Sequence, residues 1–316
     1  MKIAVIGLGA IAEKAHLQVL TQLENVELVF CTRNPEKLKQ LVDKYRIADY
    51  YTNYQDVLKS SVDAVMIHSA TSSHFEIASF FLNHGIPVFV DKPLASTYAH
   101  CEKLHNLAEQ KSTPLFMGFN RRYIPLYKRY LPTLSGSGDI DNPLLSLRWE
   151  KNRLNLTGDI RTFIFDDFIH PLDSVNIHAS VQADDLHIMA QFDKQGQVSN
   201  QLARLDVQWL QHNAIFHASM NRLNGATNET VSAHYRNQNY RFDSFVEGIH
   251  WQDDVERKVK LADWTPMLTS KGFAGMAEHW LSVIKSGKQE LAYTQRNLHS
   301  HLLVELIAQR VSQSIK

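Results

Sequence analysis

The residues best suited to bind a ligand lie within the first dozen positions of the chain. Residues 7–12 (GLGAIA) form a G-x-G-x-x-A pattern directly after the apolar run 2–6. In this pattern the first glycine allows a tight strand-to-helix turn, the second lets the backbone approach a pyrophosphate, and the small third residue allows close packing. The N–H groups at the start of the helix attract phosphate. A glycine turn that only packs a strand on a helix is the alternative. The predicted dinucleotide contacts are Gly7, Gly9, Ala10, Ile11 and Ala12.

A second set of reactive side chains lies in residues 166–173 (DDFIHPLD). Asp166, His170 and Asp173 are four and three residues apart, which places them on one face of a helix. A histidine titrates near neutrality and is a natural general base, and a carboxylate that fixes its tautomer improves it. Because Pro171 would break a helix already under way, we expect the helix to begin close to His170 and Asp166 to lie in the preceding loop. A capping histidine satisfied by local backbone is the alternative.

Lys92 is a third candidate, because it stands at the end of an apolar run and before Pro93. Proline keeps the residue before it out of the helical region. The ammonium group would therefore project from the carboxyl edge of a sheet, where open α/β sheets bind ligands. An exposed charge in a turn is the alternative.

The end of the second predicted strand indicates which nucleotide is bound. A site selective for NAD usually has an acidic residue there, whereas an arginine accommodates the 2′-phosphate of NADP. The sequence reads Cys31-Thr32-Arg33, with no carboxylate before Glu36. We therefore expect Thr32 and Arg33 to contact the nucleotide and NADP to be favoured over NAD. A solvated surface charge is the alternative for Arg33.

Composition limits the remaining function classes. The 316 residues exceed what one core usually supports, and Lys+Arg and Asp+Glu are both 33. Two domains are expected, with neither nucleic acid nor a membrane as a partner. Two cysteines favour a reducing cytoplasm. The 16 histidines raise the question of a metal, but the chain has no HExxH and no CxxC, so no metal site is predicted.

The N-terminus has the outline of a short secretory signal, with an apolar run after Met1 and Lys2. The glycines at dinucleotide spacing and the amphipathic helix that follows argue against that interpretation.

The order of elements predicts an α/β N-terminal Rossmann domain with a parallel sheet over residues 1–121. Apolar runs alternate there with amphipathic helical stretches. The predicted strands are 2–6, 26–31, 50–52, 63–68, 87–90 and 114–117.

Residues 122–316 are predicted to form an α+β domain with a mainly antiparallel open sheet. Alternation starts at Leu144, and most connections are too short for helical crossovers. Two closing helices carry apolar stripes over 273–284 and 298–311. The further strands are expected at about 184–193, 200–210, 213–221, 227–236 and 239–246.

Five motifs, in order, resemble those of the glucose-fructose oxidoreductase, inositol dehydrogenase and rhizopine catabolism (Gfo/Idh/MocA) family. The likeness is greatest to its MviM/YceM-type members. Asp91 stands where the family normally has Glu, and Ala70 where proline is common. The motifs are GLGAIA at 7–12, IHSATSSH at 67–74, VDKPLA at 90–95, GFNRRY at 118–123 and DDFIHPLD at 166–173.

The resemblance implies an oxidoreductase that transfers a hydride between nicotinamide and a sugar, polyol or related compound. His170 would take the hydroxyl proton and Lys92 would polarise the same oxygen, with Asp166 and Asp173 lining the pocket. A homodimer or dimer of dimers is also implied. A regulator that binds the nucleotide without catalysis is the alternative. The further cofactor contacts implied are Ser69, Ala70, His74, Asp91, Lys92 and Asn120.

Four basic residues suggest the type of small-molecule substrate. Arg121 and Arg122 follow the sixth strand, and Lys151 and Arg153 leave the first strand of the second domain. Cations converging on one ligand would suit a polyhydroxylated compound with an anionic group, such as a sugar acid or sugar phosphate. Each residue taken alone could be a solvated surface charge.

Overall fold

The computed structural model describes residues 1–135, 142–194 and 201–314. The chain divides into two compact units, which are treated separately below. The first contains Met1–Asn120 and Phe273–Thr294, and the second contains Arg121–Gly272 and Gln295–Lys316. This division differs from the continuous second domain predicted over 122–316, because the segment 273–294 packs with the first unit.

The first unit is built on a parallel sheet in the strand order β3-β2-β1-β4-β5-β6. This is the order of a dinucleotide-binding fold, and it confirms the predicted parallel Rossmann sheet. Every residue of β4, β5 and β6 is buried, as expected for strands covered by helices on both faces. The strands are β1 Lys2–Ile6, β2 Glu27–Cys31, β3 Asp49–Tyr51, β4 Ala64–Ile67, β5 Val88–Val90 and β6 Leu115–Met117.

The second helix of the first unit begins at two residues that favour a helix start. Asn34 caps the second helix by accepting a hydrogen bond from the Lys37 backbone N–H at 3.0 Å, and Pro35 occupies its first position. A π-helical turn, Ala12–His16, precedes the first helix. The helices of this unit are α1 Leu17–Leu20, α2 Pro35–Tyr45, α3 Thr71–Asn83 and α4 Tyr98–Gln110, together with α8 Phe273–Ser286 after the return of the chain.

In the part of the chain that the structure describes, the sheet of the second unit has eight strands in the order β14-β13-β12-β11-β7-β10-β9-β8. Among the neighbouring strands formed by the described residues, only β7 and β10 are parallel, so the prediction of a mainly antiparallel sheet is confirmed. The strands are β7 Ser146–Leu154, β8 His187–Asp193, β9 Gln201–Gln211, β10 Ala214–Asn224, β11 Asn228–Tyr235, β12 Gln238–Phe242, β13 Glu247–Gln252 and β14 Val255–Lys260. Residue 200, the predicted start of one strand, lies outside the described residues.

The hairpin of β13 and β14 was not predicted. Most of its side chains are exposed or half-buried at the sheet edge, so it lacks the apolar alternation that identifies a strand. A turn signal was present, since Asp253 and Asp254 form a two-residue loop with φ of 53° and 61°. Two consecutive positive φ angles are typical of the tightest hairpin turns.

The helix that carries His170 begins earlier than predicted. A π-helical turn, Thr162–Phe168, runs directly into α6, Ile169–Val175. The expectation that Asp166 lies in a loop before the helix is therefore wrong. Pro171 lies in the first turn of α6, directly after the π-helical turn, and because proline has no backbone N–H it cannot donate a hydrogen bond to a carbonyl of that turn.

The remaining helices are α5 Pro125–Tyr130, α7 Met267–Ser270 and α9 Leu291–Gln313. The buried face of α9 is more polar than its predicted leucine stripe, because Asn297, Ser300 and His301 are fully buried. No helix in the described ranges is long and apolar enough to cross a membrane.

Candidate active site

The two glycines of the loop after β1, Gly7 and Gly9, have different surroundings. Gly7 has φ of +88°, and a Cβ atom there would lie 2.5 Å from the backbone nitrogen of Ser69. Only glycine fits, because the loop after β4 passes directly over it. A Cβ on Gly9 would meet no atom within 4 Å. The space above Gly9 is therefore open, as required if a pyrophosphate approaches the backbone at this point.

The other predicted loop contacts divide into exposed and buried positions. Ala10 and Ile11 are exposed beside Gly9, whereas Ala12 is fully buried where the helix packs on the sheet. At the end of β2, the Thr32 backbone N–H donates to the Tyr51 carbonyl at 3.2 Å, and Arg33 is exposed. This arrangement leaves the Arg33 guanidinium accessible to a ligand.

The loop after β4 is held in place by His74. Its imidazole is buried, with Nδ1 2.9 Å from the carbonyl oxygen of Pro93 and Nε2 3.0 Å from that of Ser69. Ser69 also shares a hydrogen bond with Ser73, and Ala70 is exposed. Because both ring nitrogens face the backbone, the geometry of His74 suits the positioning of two loops rather than direct contact with a cofactor.

The segment that carries Lys92 is fixed by its neighbour. Asp91 is buried, and its Oδ1 accepts a hydrogen bond from the Lys92 backbone N–H at 2.8 Å. The Lys92–Pro93 peptide bond is cis, and the Lys92 side chain is half-buried. Asn120, at the end of this unit, is also buried. The other oxygen of Asp91 faces His16 and His68, so the carboxylate is directed into the fold.

In the second unit, Asp167 is the centre of a group of ion pairs. Arg153 makes two hydrogen bonds to its carboxylate, at 3.1 and 3.0 Å, and Arg222 makes a third at 2.9 Å. The Lys151 ammonium contacts the same carboxylate. The sequence interpretation chose Asp166, which is half-buried, and did not identify Asp167 or Arg222.

Glu229 extends this group along the sheet. It pairs across the strands with Lys151, accepts two hydrogen bonds from Arg121, and accepts one from the Trp149 indole at 3.0 Å. Together these residues form what we call the basic cluster. It comprises Arg121, Lys151, Arg153, Asp167, Arg222 and Glu229.

Burial and charge act in opposite directions on the pKa values in the basic cluster. Burial alone would raise the pKa of Asp167, but Lys151 and Arg153 hold it well below its usual range. Burial lowers the pKa of Lys151 to about 7, against the opposing effect of Glu229 and Asp167. Lys151 is therefore the cation of the cluster whose charge depends on what lies beside it.

Asp173 anchors a second buried network. Its carboxylate accepts hydrogen bonds from Arg122 at 2.9 and 2.6 Å and from the Ser300 hydroxyl at 2.7 Å. Arg296 donates to its backbone carbonyl at 2.7 Å. Asp173 is only 1% exposed, so this network lies in the core of the unit.

The structure thus brings the three predicted residues Asp166, His170 and Asp173 together only in part. His170 is buried in the first turn of α6, and Asp173 lies in the same helix. The Asp173 carboxylate, however, is occupied by Arg122 and Ser300. All four predicted substrate cations, Arg121, Arg122, Lys151 and Arg153, are paired with carboxylates and are not isolated surface charges.

Comparison with known proteins finds relatives that cover most or all of this chain. A family model described as "Oxidoreductase family, NAD-binding Rossmann fold" matches residues 1–119. The YceM protein of Salmonella typhimurium, whose name assigns it as a candidate oxidoreductase, is 32% identical over 292 residues, 90% of each chain. A crystal structure of a Gfo/Idh/MocA family oxidoreductase from Vibrio cholerae is 52% identical, with a TM-score of 0.95 over 100% of this chain and 99% of that one.

The chain belongs to the Gfo/Idh/MocA oxidoreductase family.

The family assignment confirms the resemblance inferred from the five motifs, the two-part fold and the oxidoreductase class. The inositol 2-dehydrogenase of Salmonella paratyphi B, a further relative, is 32% identical over 150 residues, 46% of this chain and 44% of that protein.

In this Gfo/Idh/MocA protein, alanine at Gly7 is expected to lower stability, whereas alanine at Gly9 is expected to weaken nucleotide binding. Gly7→Ala should lower the free energy of unfolding by about 2 kcal/mol, because a positive φ and a backbone clash both oppose the new Cβ. Gly9→Ala should change stability by less than about 0.5 kcal/mol but weaken nucleotide binding, since its Cβ enters only open space. Urea unfolding and nucleotide titration measure the two effects. Equal losses of stability would contradict the assignment.

Asp173→Asn is expected to destabilise the second unit in a pH-dependent way. Burial would raise the pKa of Asp173, but Arg122 and Arg296 lower it overall. The carboxylate therefore contributes stability that is complete above its unfolded pKa of about 4 and is lost as pH falls through the folded value. We expect a loss of about 3 kcal/mol at pH 7. The difference from wild type should narrow below about pH 4 in urea unfolding. A difference that stays constant with pH would rule out a charge effect.

Proposed function

We propose that this protein is an NADP-dependent oxidoreductase that interconverts a hydroxyl and a carbonyl group on an anionic sugar, polyol or related compound. The observation that carries the substrate class is the basic cluster, which has four basic side chains and two carboxylates. A buried surplus of positive charge is costly unless an anion completes it. A carboxylate or phosphate beside Lys151 would also favour the charged form of that amine. The polyol in the name of the inositol 2-dehydrogenase relative supports the polyhydroxylated part of this proposal, and the charge of the substrate is argued from the basic cluster alone.

His170 and Lys92 are the proposed catalytic residues. His170 takes the hydroxyl proton when the substrate is oxidised and returns it in reduction, and Lys92 donates a hydrogen bond to the same oxygen. The nicotinamide, when bound, accepts or supplies the hydride. In this proposal the ion pair of Asp173 with Arg122 sets the position of α6. Asp166 is kept as a proposed residue of the substrate pocket.

The fit of the first unit to a dinucleotide supports the cofactor proposal. The open space above Gly9, the buried Ala12 and the accessible Arg33 match the needs of a pyrophosphate, a packed helix and a 2′-phosphate respectively. Ser69, Ala70 and Asn120 are also proposed to contact the nucleotide. His74 and Asp91 are proposed to act by holding loops.

Arg33→Ala is expected to lower the affinity for NADPH by about 10- to 100-fold and to leave NADH binding unchanged, because charged hydrogen bonds contribute about 1.5 to 3 kcal/mol. Thermal-shift titration with both nucleotides measures this, since a ligand of the folded state raises the melting temperature with its affinity. Lys39→Ala, at an exposed cation of α2, is the matched control. A larger shift with NADH than with NADPH in the wild type would overturn the preference for NADP.

The test of the overall proposal is a screen of NADPH oxidation against keto-sugars, keto-acids and their phosphorylated forms. We expect turnover with an anionic compound, and the neutral compound of the same skeleton should react much less well. Preference for neutral compounds would contradict the role of the basic cluster. Tight nucleotide binding without turnover on any compound would instead favour a nucleotide-binding regulator.

The same proposal includes assembly as a homodimer or dimer of dimers in the cytoplasm. One face of the second sheet carries exposed apolar side chains, including Leu210, Ile215 and Met189 at 64%, 52% and 60% exposure. Burial of such a face stabilises a pair of copies. A monomeric mass in light scattering would contradict the assembly. Neither Cys31 nor Cys101 forms a disulfide, which suits a reducing compartment.

A further inference from the structure

Three side chains from separate elements of the first unit converge beneath the nucleotide-binding edge. His16 lies in the turn after the glycine loop, His68 follows β4, and Asp91 follows β5. Their exposures are 4%, 5% and 8%, so all three are buried. No sequence motif predicted this group, because the residues are separated by 52 and 23 positions, from 16 to 68 and from 68 to 91.

The distances within the group are too long for hydrogen bonds. Asp91 Oδ2 lies 3.9 Å from His16 Nε2 and 3.7 Å from His68 Nδ1, whereas an N–H···O bond spans about 2.7 to 3.2 Å. Among the residues that the structure describes, His16 Nε2 and both ring nitrogens of His68 have no hydrogen-bond partner. Buried polar atoms without a partner are costly, so something absent from the protein chain itself is expected to satisfy them.

A metal ion fits the space between these atoms. The three ligand atoms lie within 4.8 Å of one another. A point equidistant from atoms with these separations is roughly 2.2 to 2.5 Å from each, close to the zinc–nitrogen and zinc–oxygen distances of about 2.0 to 2.2 Å. Two imidazoles and one carboxylate are ligands that zinc and neighbouring transition metals prefer.

We propose that His16, His68 and Asp91 bind a divalent transition-metal ion, with Zn²⁺ as the expected metal. The other oxygen of Asp91 accepts the Lys92 backbone N–H at 2.8 Å, which orients the carboxylate as metal ligands are commonly oriented. The Asp91 side chain is 12% exposed, more than the 4% of the His16 side chain. Phe89 and Phe273 contact the edge of the His16 ring and give the site an apolar wall.

The ion would tie together three elements of the nucleotide-binding edge. It would join the turn after the glycine loop to the ends of β4 and β5, next to Gly7 and Lys92. Since each ligand comes from a different element, binding would require the folded unit and would stabilise it. This inference does not depend on the proposed substrate or on turnover.

The test uses the full chain without a histidine tag, stripped with chelator and then loaded with Co²⁺ as a spectroscopic substitute for Zn²⁺. We expect about one metal ion per chain by elemental analysis, visible d–d absorption bands from bound Co²⁺, and displacement of those bands by Zn²⁺. His68→Asn and Asp91→Asn should each weaken metal binding by at least about 10-fold. His301→Asn, at a buried histidine of α9 outside the group, is the matched control and should retain the metal.

A wild-type protein that binds no Co²⁺ after loading would overturn the proposal, and the group would then be two buried histidines beside a carboxylate. Equal binding in the wild type and in a folded ligand variant would overturn it too. If His68→Asn fails to fold, the wild type still decides the question, because Zn²⁺ should raise its melting temperature and chelator should reverse the increase.

Discussion

Replacing Lys92 with methionine is expected to lower turnover by about 10²- to 10⁴-fold, the usual cost of removing a positioned acid–base group. Methionine keeps the length and apolar stem of lysine but cannot donate a hydrogen bond to the substrate oxygen. The backbone N–H of residue 92 still donates to Asp91, so the segment should keep its position. The measurement is kcat with a substrate found by the NADPH-oxidation screen, together with NADPH binding by thermal shift.

His170→Asn should lower turnover by a similar factor, because asparagine cannot take the hydroxyl proton of the substrate, whereas Lys92→Met removes a hydrogen bond to the substrate oxygen. Two variants of exposed residues serve as controls, Lys111→Met for Lys92 and His187→Asn for His170, and both should retain turnover. If Lys92→Met and His170→Asn both kept near-normal kcat, the catalytic assignment would be wrong. A large rise in KM with unchanged kcat would assign the two residues to binding alone.

Asp167→Asn is expected to have the largest effect on stability, a loss of about 3 to 5 kcal/mol. The substitution leaves Lys151, Arg153 and Arg222 around a neutral amide, and two of these cations are almost fully buried. Removing one partner of a buried ion pair is costly because the opposite charge stays buried without compensation. Urea unfolding followed by circular dichroism measures the loss.

Asp184→Asn provides the contrast for Asp167→Asn. Asp184 also pairs with an arginine, Arg310, but its side chain is 97% exposed, so the change should be below about 1 kcal/mol. Adding Lys151→Met to Asp167→Asn should restore part of the stability, because it removes a cation that the carboxylate no longer balances. Equal effects of the two aspartate substitutions would show that the basic cluster contributes no more than a surface pair.

The sequence by itself determined most of the first unit. Its strands are continuous apolar runs, and its turns are set by local residues such as Gly7, Asn34 and Pro35, whose conformational preferences do not depend on distant contacts. The order of five short motifs was enough to assign the family. The alternation that predicted β7 is also a local property, since successive side chains of a strand point to opposite faces.

The tertiary structure decided which aspartate of the second unit pairs with the basic side chains. The family resemblance implied Asp166, and its spacing from His170 fits the 3.6-residue period of an α-helix, whereas the segment before α6 is π-helical, with a wider turn that changes the direction of each side chain. Asp167 is therefore the residue that meets Lys151 and Arg153. Arg222 and Glu229 join the cluster because β10 and β11 both pair with β7; Glu229 pairs with Lys151, 78 positions away, and such pairing has no local signal.

Other features also depend on contacts between residues distant in sequence, so sequence patterns did not reveal them. The packing of residues 273–294 with the first unit, the polar face of α9 and the group of His16, His68 and Asp91 all depend on contacts between distant parts of the chain. Periodicity tells which face of an element is buried, but it does not tell what that face is buried against. Local chemistry therefore determined the elements and the family, and long-range packing decided which charged groups meet.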